Sequence, residues 1–153
     1  MIISKTPLRI SFFSGGSDIP AFYERERGAA LSVTINKYIY VMLHRTPHLG
    51  IKIMYDTIEE YPDLEMMQHA ITRESLKYFG VDKEITVASI ADILAKGSGL
   101  GSSSAFTVGL ANVLANPDRH SSHVTREYLA QTAYHIERDL CNYPVGKQVQ
   151  YAA

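Results

Sequence analysis

Apolar and polar positions divide the chain into a strand-rich first third and a more helical remainder. β-Branched and aromatic runs at "LRISFF", "ALSVTINKYIYVML" and "IKIMY" occupy much of the first 55 residues, with glycines and prolines between them, and predict strands. From Asp63 the period lengthens. Met67, Ile71 and Tyr78 in "DLEMMQHAITRESLKYFG" fall at near-helical spacing, and Gly80 stands where a C-terminal cap belongs, so one amphipathic helix is predicted from Asp63 to Gly80. "EITVASIADI" predicts a further strand that feeds into "AKGSGLGSSSAF". Beyond these glycines and serines, "SSAFTVGLANVLAN" is apolar almost all round, as a buried helix would be, and it ends at Asn116-Pro117, where proline stops it. "PDRHSSH" is a polar connector. A last helix follows Thr125 as N-cap, with Leu129, Ala133, Ile136 and Leu140 marking its core face. No repeat and no linker divides the chain, and the mixed order of elements predicts an α+β fold, a mixed sheet packed with helices.

Composition narrows the function classes. The 153 residues, 46% apolar and 20% charged, are enough for one domain with a core and argue against disorder. A net charge of -1 without a basic run argues against nucleic acid as a partner. Cys141, the single cysteine, cannot form an internal disulfide. Lys5 and Arg9 interrupt the first apolar residues, and no apolar run approaches the roughly 20 residues of a membrane span, so the expectation is a cytoplasmic protein with no membrane partner. His120 and His123, with only Asp118 nearby, read as exposed histidines rather than zinc ligands. The ten tyrosines are scattered, not interleaved with basic residues as base-stacking platforms are.

The glycine-serine stretch carries the chemistry. Between a strand and a helix, glycines let the backbone approach a ligand, and the first helical turn offers unpaired N–H groups with a partial positive charge, which suits an anion. Serine hydroxyls there add donors for phosphate and an oxygen ligand for Mg²⁺. A flexible turn whose serines merely cap the helix explains the stretch equally well. The familiar loops do not fit: a Walker loop needs Gly-Lys-Ser/Thr, the dinucleotide pattern fails at Ser102, and no protein-kinase motif follows downstream.

Gly99-Leu100-Gly101-Ser102-Ser103-Ser104-Ala105 closely resembles the second motif of the GHMP kinases, the superfamily of galactokinase, homoserine kinase, mevalonate kinase and phosphomevalonate kinase. "TPLRISFFSGGSDIPAFY" resembles that family's N-terminal substrate motif, in the form found in D-glycero-D-manno-heptose 7-phosphate kinases. "TINKYIY", "GSGLGSSSAFTVGL", "HIERDL" and "PVGKQ…QYAA" follow in the order of that branch, so the likeness covers essentially the whole chain. The resemblance implies a GHMP kinase N-terminal domain over 1–153, with ATP and Mg²⁺ as cofactors. Nucleotide and sugar phosphate would be its partners, and transfer would go to the anomeric hydroxyl of a heptose 7-phosphate or related sugar. It implies that Gly97, Gly99, Leu100, Gly101, Ser102, Ser103 and Ser104 hold the ATP phosphates and that Ser103 and Glu137 hold the metal. Substrate contacts would come from Arg9, Ser17, Asp18 and Lys147, and Arg9 would also engage charge developing in transfer. Read without the family, Glu137 is a solvated helix carboxylate at the margin of a buried face, and Ser17-Asp18 before Pro20 is an ordinary turn.

Two departures bear on activity. Where the heptose kinase branch reads G-K-Q-D-Q-Y, this chain has Val149, which cannot accept a proton, and the nearest preceding acidic residue is Asp139. Leu94 stands where relatives have proline. A GHMP kinase also continues into a second domain with a further glycine-rich motif, so the expectation is an N-terminal portion with the second domain absent. An apolar face meant for that half would be left exposed and would favour self-association. Two readings follow: a sugar kinase of impaired activity, or a catalytically silent remnant that at most binds nucleotide or a partner chain.

Overall fold

Alternation along the second strand organises the molecule: Ile39, Val41 and Leu43 are buried, while Tyr38, Tyr40 and Met42 between them face the other way and are half-buried. In the computed structural model, which describes residues 1–13, 16–47, 50–93, 98–116 and 124–153, this strand is β2 (Leu31–Arg45). Its companions are β1 (Ile2–Phe13), β3 (Ile51–Met54), β4 (Ile58–Tyr61) and β5 (Ile85–Ala91), in the order β1-β2-β5-β3-β4. All neighbours are antiparallel except the parallel pair β3 and β5. The helices are α1 (Pro20–Tyr23), α2 (Ala70–Tyr78), α3 (Ser102–Ala115), α4 (Arg126–His135) and α5 (Gln148–Ala152). A mixed sheet packed with helices is what the sequence pattern predicts.

The helix α3 runs through the core, with ten of its 14 residues buried. It lies close against β1 and β2 because Gly109 carries no side chain: a Cβ there would stand 2.8 Å from Thr6 Oγ1 and 3.0 Å from Val41 Cγ2. The polar inward positions of β1 are used by the same helix, since Asn112 Nδ2 donates to Ser4 Oγ at 3.3 Å.

Three elements differ from the sequence pattern. The helix expected from Asp63 begins only at Ala70, because two successive side chains each start their own turn. Asp63 accepts from the Met66 N–H at 3.2 Å and caps a short 3₁₀ turn over Leu64–Met66; the chain then extends through Met67, and His69 Nδ1 accepts from the Thr72 N–H at 3.3 Å to start α2. Its buried face is Ile71, Thr72, Ser75 and Leu76, and Tyr78 is exposed. The C-terminal end is as expected: Gly80 has φ +67° and the Val81 N–H reaches back to the Leu76 carbonyl at 2.9 Å. The strand β4 is masked in the sequence by the pair Glu59-Glu60, which an edge strand tolerates. The last helix passes from α4 into a π turn over Ile136–Leu140, closed by the Cys141 N–H on the Ile136 carbonyl at 2.9 Å. Ala133, Ile136 and Glu137 are fully buried at ordinary helical spacing, and the extra residue then rotates the face so that Leu140 is exposed. Among the described residues no helix is long and apolar enough to cross a membrane.

At the far end of the β1–β2 pair, Ile10, Phe12, Phe13, Leu31 and Val33 are exposed, with Ile10 opposite Val33 and Phe13 opposite Leu31. Exposed apolar side chains of this kind are what the self-association expected from the sequence would use. Replacing Phe13 and Leu31 together by serine is expected to abolish concentration-dependent association in sedimentation velocity. The melting temperature should hardly change, because neither side chain is buried.

Candidate functional site

The first turn of α3 is built by glycine geometry rather than by a capping side chain. Gly101 is the N-cap, at φ +78° and without a side-chain hydrogen bond, and the first helical bond runs from the Ala105 N–H to its carbonyl at 2.9 Å. A Cβ on Gly101 would overlap Val149 Cγ1 and stand 3.2 Å from Arg9 Cζ. The loop before it is tied to β1: Arg9 Nη1 donates to the Gly99 carbonyl at 2.8 Å, and the Arg9 N–H to the Leu100 carbonyl at 3.2 Å. The backbone N–H groups of Ser102, Ser103 and Ser104 therefore head a rigidly placed helix at its positive end, a setting that holds an anion.

Behind this turn lies a buried carboxylate. Glu137 is fully buried, and its Oε1 accepts from Ser103 Oγ at 3.1 Å while Oε2 accepts from Gln150 Nε2 at 2.5 Å. Gln150 Nε2 also donates to Ser104 Oγ at 3.1 Å, and Gln150 Oε1 is buried without a hydrogen-bond partner. No ion pair among the described residues includes Glu137. A buried charge with only neutral partners is costly and suits a cation. The donor set is carboxylate, hydroxyl and amide oxygen, which fits a hard cation such as Mg²⁺. Among the described residues no cluster of three or more His, Cys, Asp or Glu exists. Cys141 nearby is no nucleophile, since burial and then the carboxylates of Glu74 and Glu137 push its thiol up to about 11.

Two cavities meet at this turn. One, of about 790 Å³, lies between the sheet and the α2–α3 layer and is lined by Tyr55, His69, Asp92, Ser102, Ser103 and Phe106. Its aromatic wall is continuous, with Tyr55 and His69 ring centres 5.5 Å apart and His69 and Phe106 5.6 Å apart. The other cavity, of about 460 Å³, is lined by Arg9, Ser11, Asp18, Ser104, Gln148 and Val149. Burial pulls the Arg9 guanidinium below its ordinary value, with Asp18 opposing the shift, and Arg9 Nε is buried without a partner. Asp18 Oδ2 accepts from the Gln148 N–H at 3.1 Å, and Gly146 leaves room for the carboxylate because a Cβ there would overlap it.

Residues 64–153 match the family profile described as "GHMP kinases N terminal domain". The chain belongs to the GHMP kinases. This GHMP kinase chain is 31% identical over 166 residues to a D-glycero-alpha-D-manno-heptose 7-phosphate kinase of Campylobacter jejuni, an alignment covering 99% of the chain and 48% of that relative. It superimposes with TM-score 0.81 at 28% identity on a D-glycero-D-manno-heptose 1-phosphate kinase from Bacteriodes thetaiotaomicron, covering 100% of this chain and 53% of the other. Galactokinase of Lactococcus lactis, solved with galactose, shares the fold at TM-score 0.72 and 20% identity, over 98% of this chain and 41% of that one. The chain spans about half the length of the relatives it matches.

The GHMP kinase fold brings some of the sequence-derived site residues together and leaves others apart. Gly99, Leu100, Gly101, Ser102, Ser103, Ser104, Arg9, Asp18 and Glu137 surround the first turn of α3. Ser17 is engaged elsewhere, its hydroxyl donating to the Ala29 carbonyl at 2.7 Å. Lys147 Nζ lies over the rings of Tyr23 at 4.8 Å and Tyr134 at 5.4 Å, and Lys147 does not line the smaller cavity. Gly97, Leu94, Asp118, His120 and His123 lie outside the described residues. Sequence reasoning missed Gln150 and the wall of Tyr55, His69 and Phe106. The one available signal was a polar residue, Gln150, inside the short apolar end "VQYAA".

Two outcomes are expected. Gly101→Ala places a side chain at positive φ against Val149 and Arg9, and should cost about 2 kcal/mol in urea unfolding. His69 is held below its ordinary range by burial, so the unfolded chain takes up a proton there first as acidity rises. The stability carried by neutral His69 is full above about pH 6.5 and is lost as pH falls through the lowered folded value. His69→Asn, which keeps a capping acceptor, should flatten the melting-temperature profile between about pH 7 and 5.

Proposed function

We propose that this chain is the nucleotide- and sugar-phosphate-binding part of an ATP-dependent sugar kinase acting on the anomeric hydroxyl of a heptose 7-phosphate or a related sugar. Residues 1–153 act in this reading as one domain of the GHMP N-terminal type. The observation that carries it is the meeting of two cavities at one helix terminus: Ser102 and Ser103 line the larger, and Ser104 with Arg9 and Asp18 lines the smaller. The relatives named heptose phosphate kinases support the substrate class.

Each group has a role that its chemistry allows. The backbone of Gly99 to Gly101 and the N–H groups of Ser102 to Ser104 cradle the nucleotide phosphates. Ser103 and Glu137 would hold Mg²⁺, which when bound supplies charge neutralisation on the transferring phosphoryl group. Asp18 accepts hydrogen bonds from sugar hydroxyls, and Arg9 offers its guanidinium to a phosphate. The proton of the attacking hydroxyl has no acceptor at position 149, because Val149 forms that part of the cavity wall. Phosphoryl transfer rests largely on positioning and charge, so the reaction is slowed rather than removed. The second reading, binding without turnover, is favoured by this same valine.

Calorimetric titration with MgATP, and separately with a heptose 7-phosphate, followed by ³¹P detection of product, tests both. Binding of both ligands with slow product formation is expected; failure to bind either would falsify a kinase site in this chain, and binding without product leaves the silent reading. Glu137→Gln should remove the Mg²⁺ dependence of nucleotide binding. Val149→Asp should speed transfer about 10²- to 10⁴-fold, the usual contribution of a general base.

A further inference from the structure

Glu59, a carboxylate bonded to the wall of the larger cavity, has no part in the roles above. Glu59 lies on the edge strand β4 opposite Ile53, and Tyr61 opposite Ile51; both isoleucines are buried, so Glu59 and Tyr61 are on the core-facing side of the sheet. Its neighbour Glu60 faces the other way and pairs with Lys52 at 2.7 Å, an ordinary surface ion pair. Glu59 is in none of the ion pairs among the described residues. Three hydroxyls converge on it instead. Tyr55 donates to Oε1 at 2.5 Å and Thr57 to the same oxygen at 3.3 Å, while Tyr61 donates to Oε2 at 2.6 Å. These bonds, with Tyr55 first, hold the carboxyl below its ordinary range.

The targets of these bonds matter more than their number. Tyr55 is part of the cavity wall, and the Tyr61 hydroxyl in turn accepts from the Gln68 N–H at 3.5 Å, one residue before His69. Both oxygens of one side chain are thereby spent on the two neighbouring rings of the wall: Tyr55 directly, and His69 through Tyr61 and the backbone of Gln68. An inward charge that served only to blunt the sheet edge would not need this convergence. The wall itself offers ring faces and edges, Tyr55 tilted by 57° to His69 and His69 by 67° to Phe106, within the cavity that Ser102 and Ser103 also line. A nucleoside base stacks on such a surface.

We propose that Glu59 is a positioning residue for nucleotide binding, holding Tyr55 and His69 at their 57° tilt so that the base stacks on the face of one ring and meets the other edge-on. This rests on the reading of the larger cavity as the nucleotide site. The role predicts a split between ligands that carry a base and those that do not. Titrations of the wild-type chain, Glu59→Ala, Glu59→Gln and Tyr61→Phe with MgATP and with magnesium tripolyphosphate test it, alongside the ligand-free melting temperature. Glu59→Ala should weaken MgATP about tenfold while leaving tripolyphosphate within about twofold. Glu59→Gln, whose amide oxygen can still take one tyrosine, should fall between, and Tyr61→Phe should weaken MgATP alone. Equal losses for the two ligands, or a collapse of the melting temperature, would make Glu59 merely structural and overturn the proposal. An unchanged MgATP affinity overturns it too, with the nucleotide site left standing. If the wild-type chain binds MgATP no more tightly than tripolyphosphate, the base cavity itself is refuted and the proposal goes with it.

Discussion

The constraint on which this fold depends is that α3 must be buried along its length and open at its first turn. Its sequence is a poor helix former by itself, with Gly109 and the β-branched Thr107, Val108 and Val113 in its interior, so packing rather than propensity holds it. Leu110 and Val113, almost wholly buried, contribute on the order of 1.5–3 kcal/mol each. Sheet, α2 and α4 surround it, and β1 bends its polar Ser4 and Thr6 inward to fit the helix at Asn112 and Gly109. The same burial fixes where the N-terminal turn points. A phosphate cradle on a loosely held helix would lose its orientation, and here the orientation is set by the core.

The opening at the turn is kept by backbone conformation. With Gly99 at φ +70° and Gly101 at φ +78°, no capping side chain occupies the helix end, and Arg9 fastens the loop from the side. The π turn at Ile136–Leu140 acts on the opposite flank. Glu137 continues the buried α4 face of Ala133 and Ile136 and meets Ser103 and Gln150, while the extra residue turns Leu140 outward. An uncompensated carboxylate at that depth is destabilising, so its presence is understandable where a cation shares the cost. On the proposed reading, stability and ligand binding are coupled through this one side chain.

How much of this was legible in the sequence depends on whether the signal is local. The glycine-serine cradle and α3 could be read because the glycines, the serines and the all-round apolar helix are contiguous. The strands followed from period two, except β4, where Glu59 and Glu60 broke the pattern; only the structure reveals that one of them is bonded by hydroxyls and the other by Lys52. The start of α2 was misread because Met67 belongs to the core without belonging to the helix. Glu137 could be named from its motif and stands i+4 from Ala133, but its enclosure by Ser103 and Gln150, and the turn that exposes Leu140, leave no periodic trace. Ser17 and Lys147 carry the same motif resemblance; the Ser17 hydroxyl donates to Ala29, and Lys147 Nζ lies over two tyrosine rings while its N–H donates to the Asp18 carbonyl at 3.4 Å.

Val149 deserves to be weighed electrostatically as well as chemically. The smaller cavity contains Arg9, whose Nη1 is spent on Gly99 and whose Nε has no partner, and Asp18, one of whose oxygens is taken by the Gln148 N–H. A carboxylate at position 149 would stand beside the guanidinium, since the valine methyl and Arg9 crowd the same space at Gly101. It would both take the hydroxyl proton and compensate part of the positive charge. Valine does neither, and burial holds Arg9 below its ordinary value with Asp18 alone opposing the shift. The guanidinium is then freer to attract an incoming phosphate, because less of its field is cancelled within the cavity. On the proposed reading the two effects oppose each other: a guanidinium whose field is less cancelled favours an anionic sugar, while the hydroxyl proton is left without an acceptor at this position.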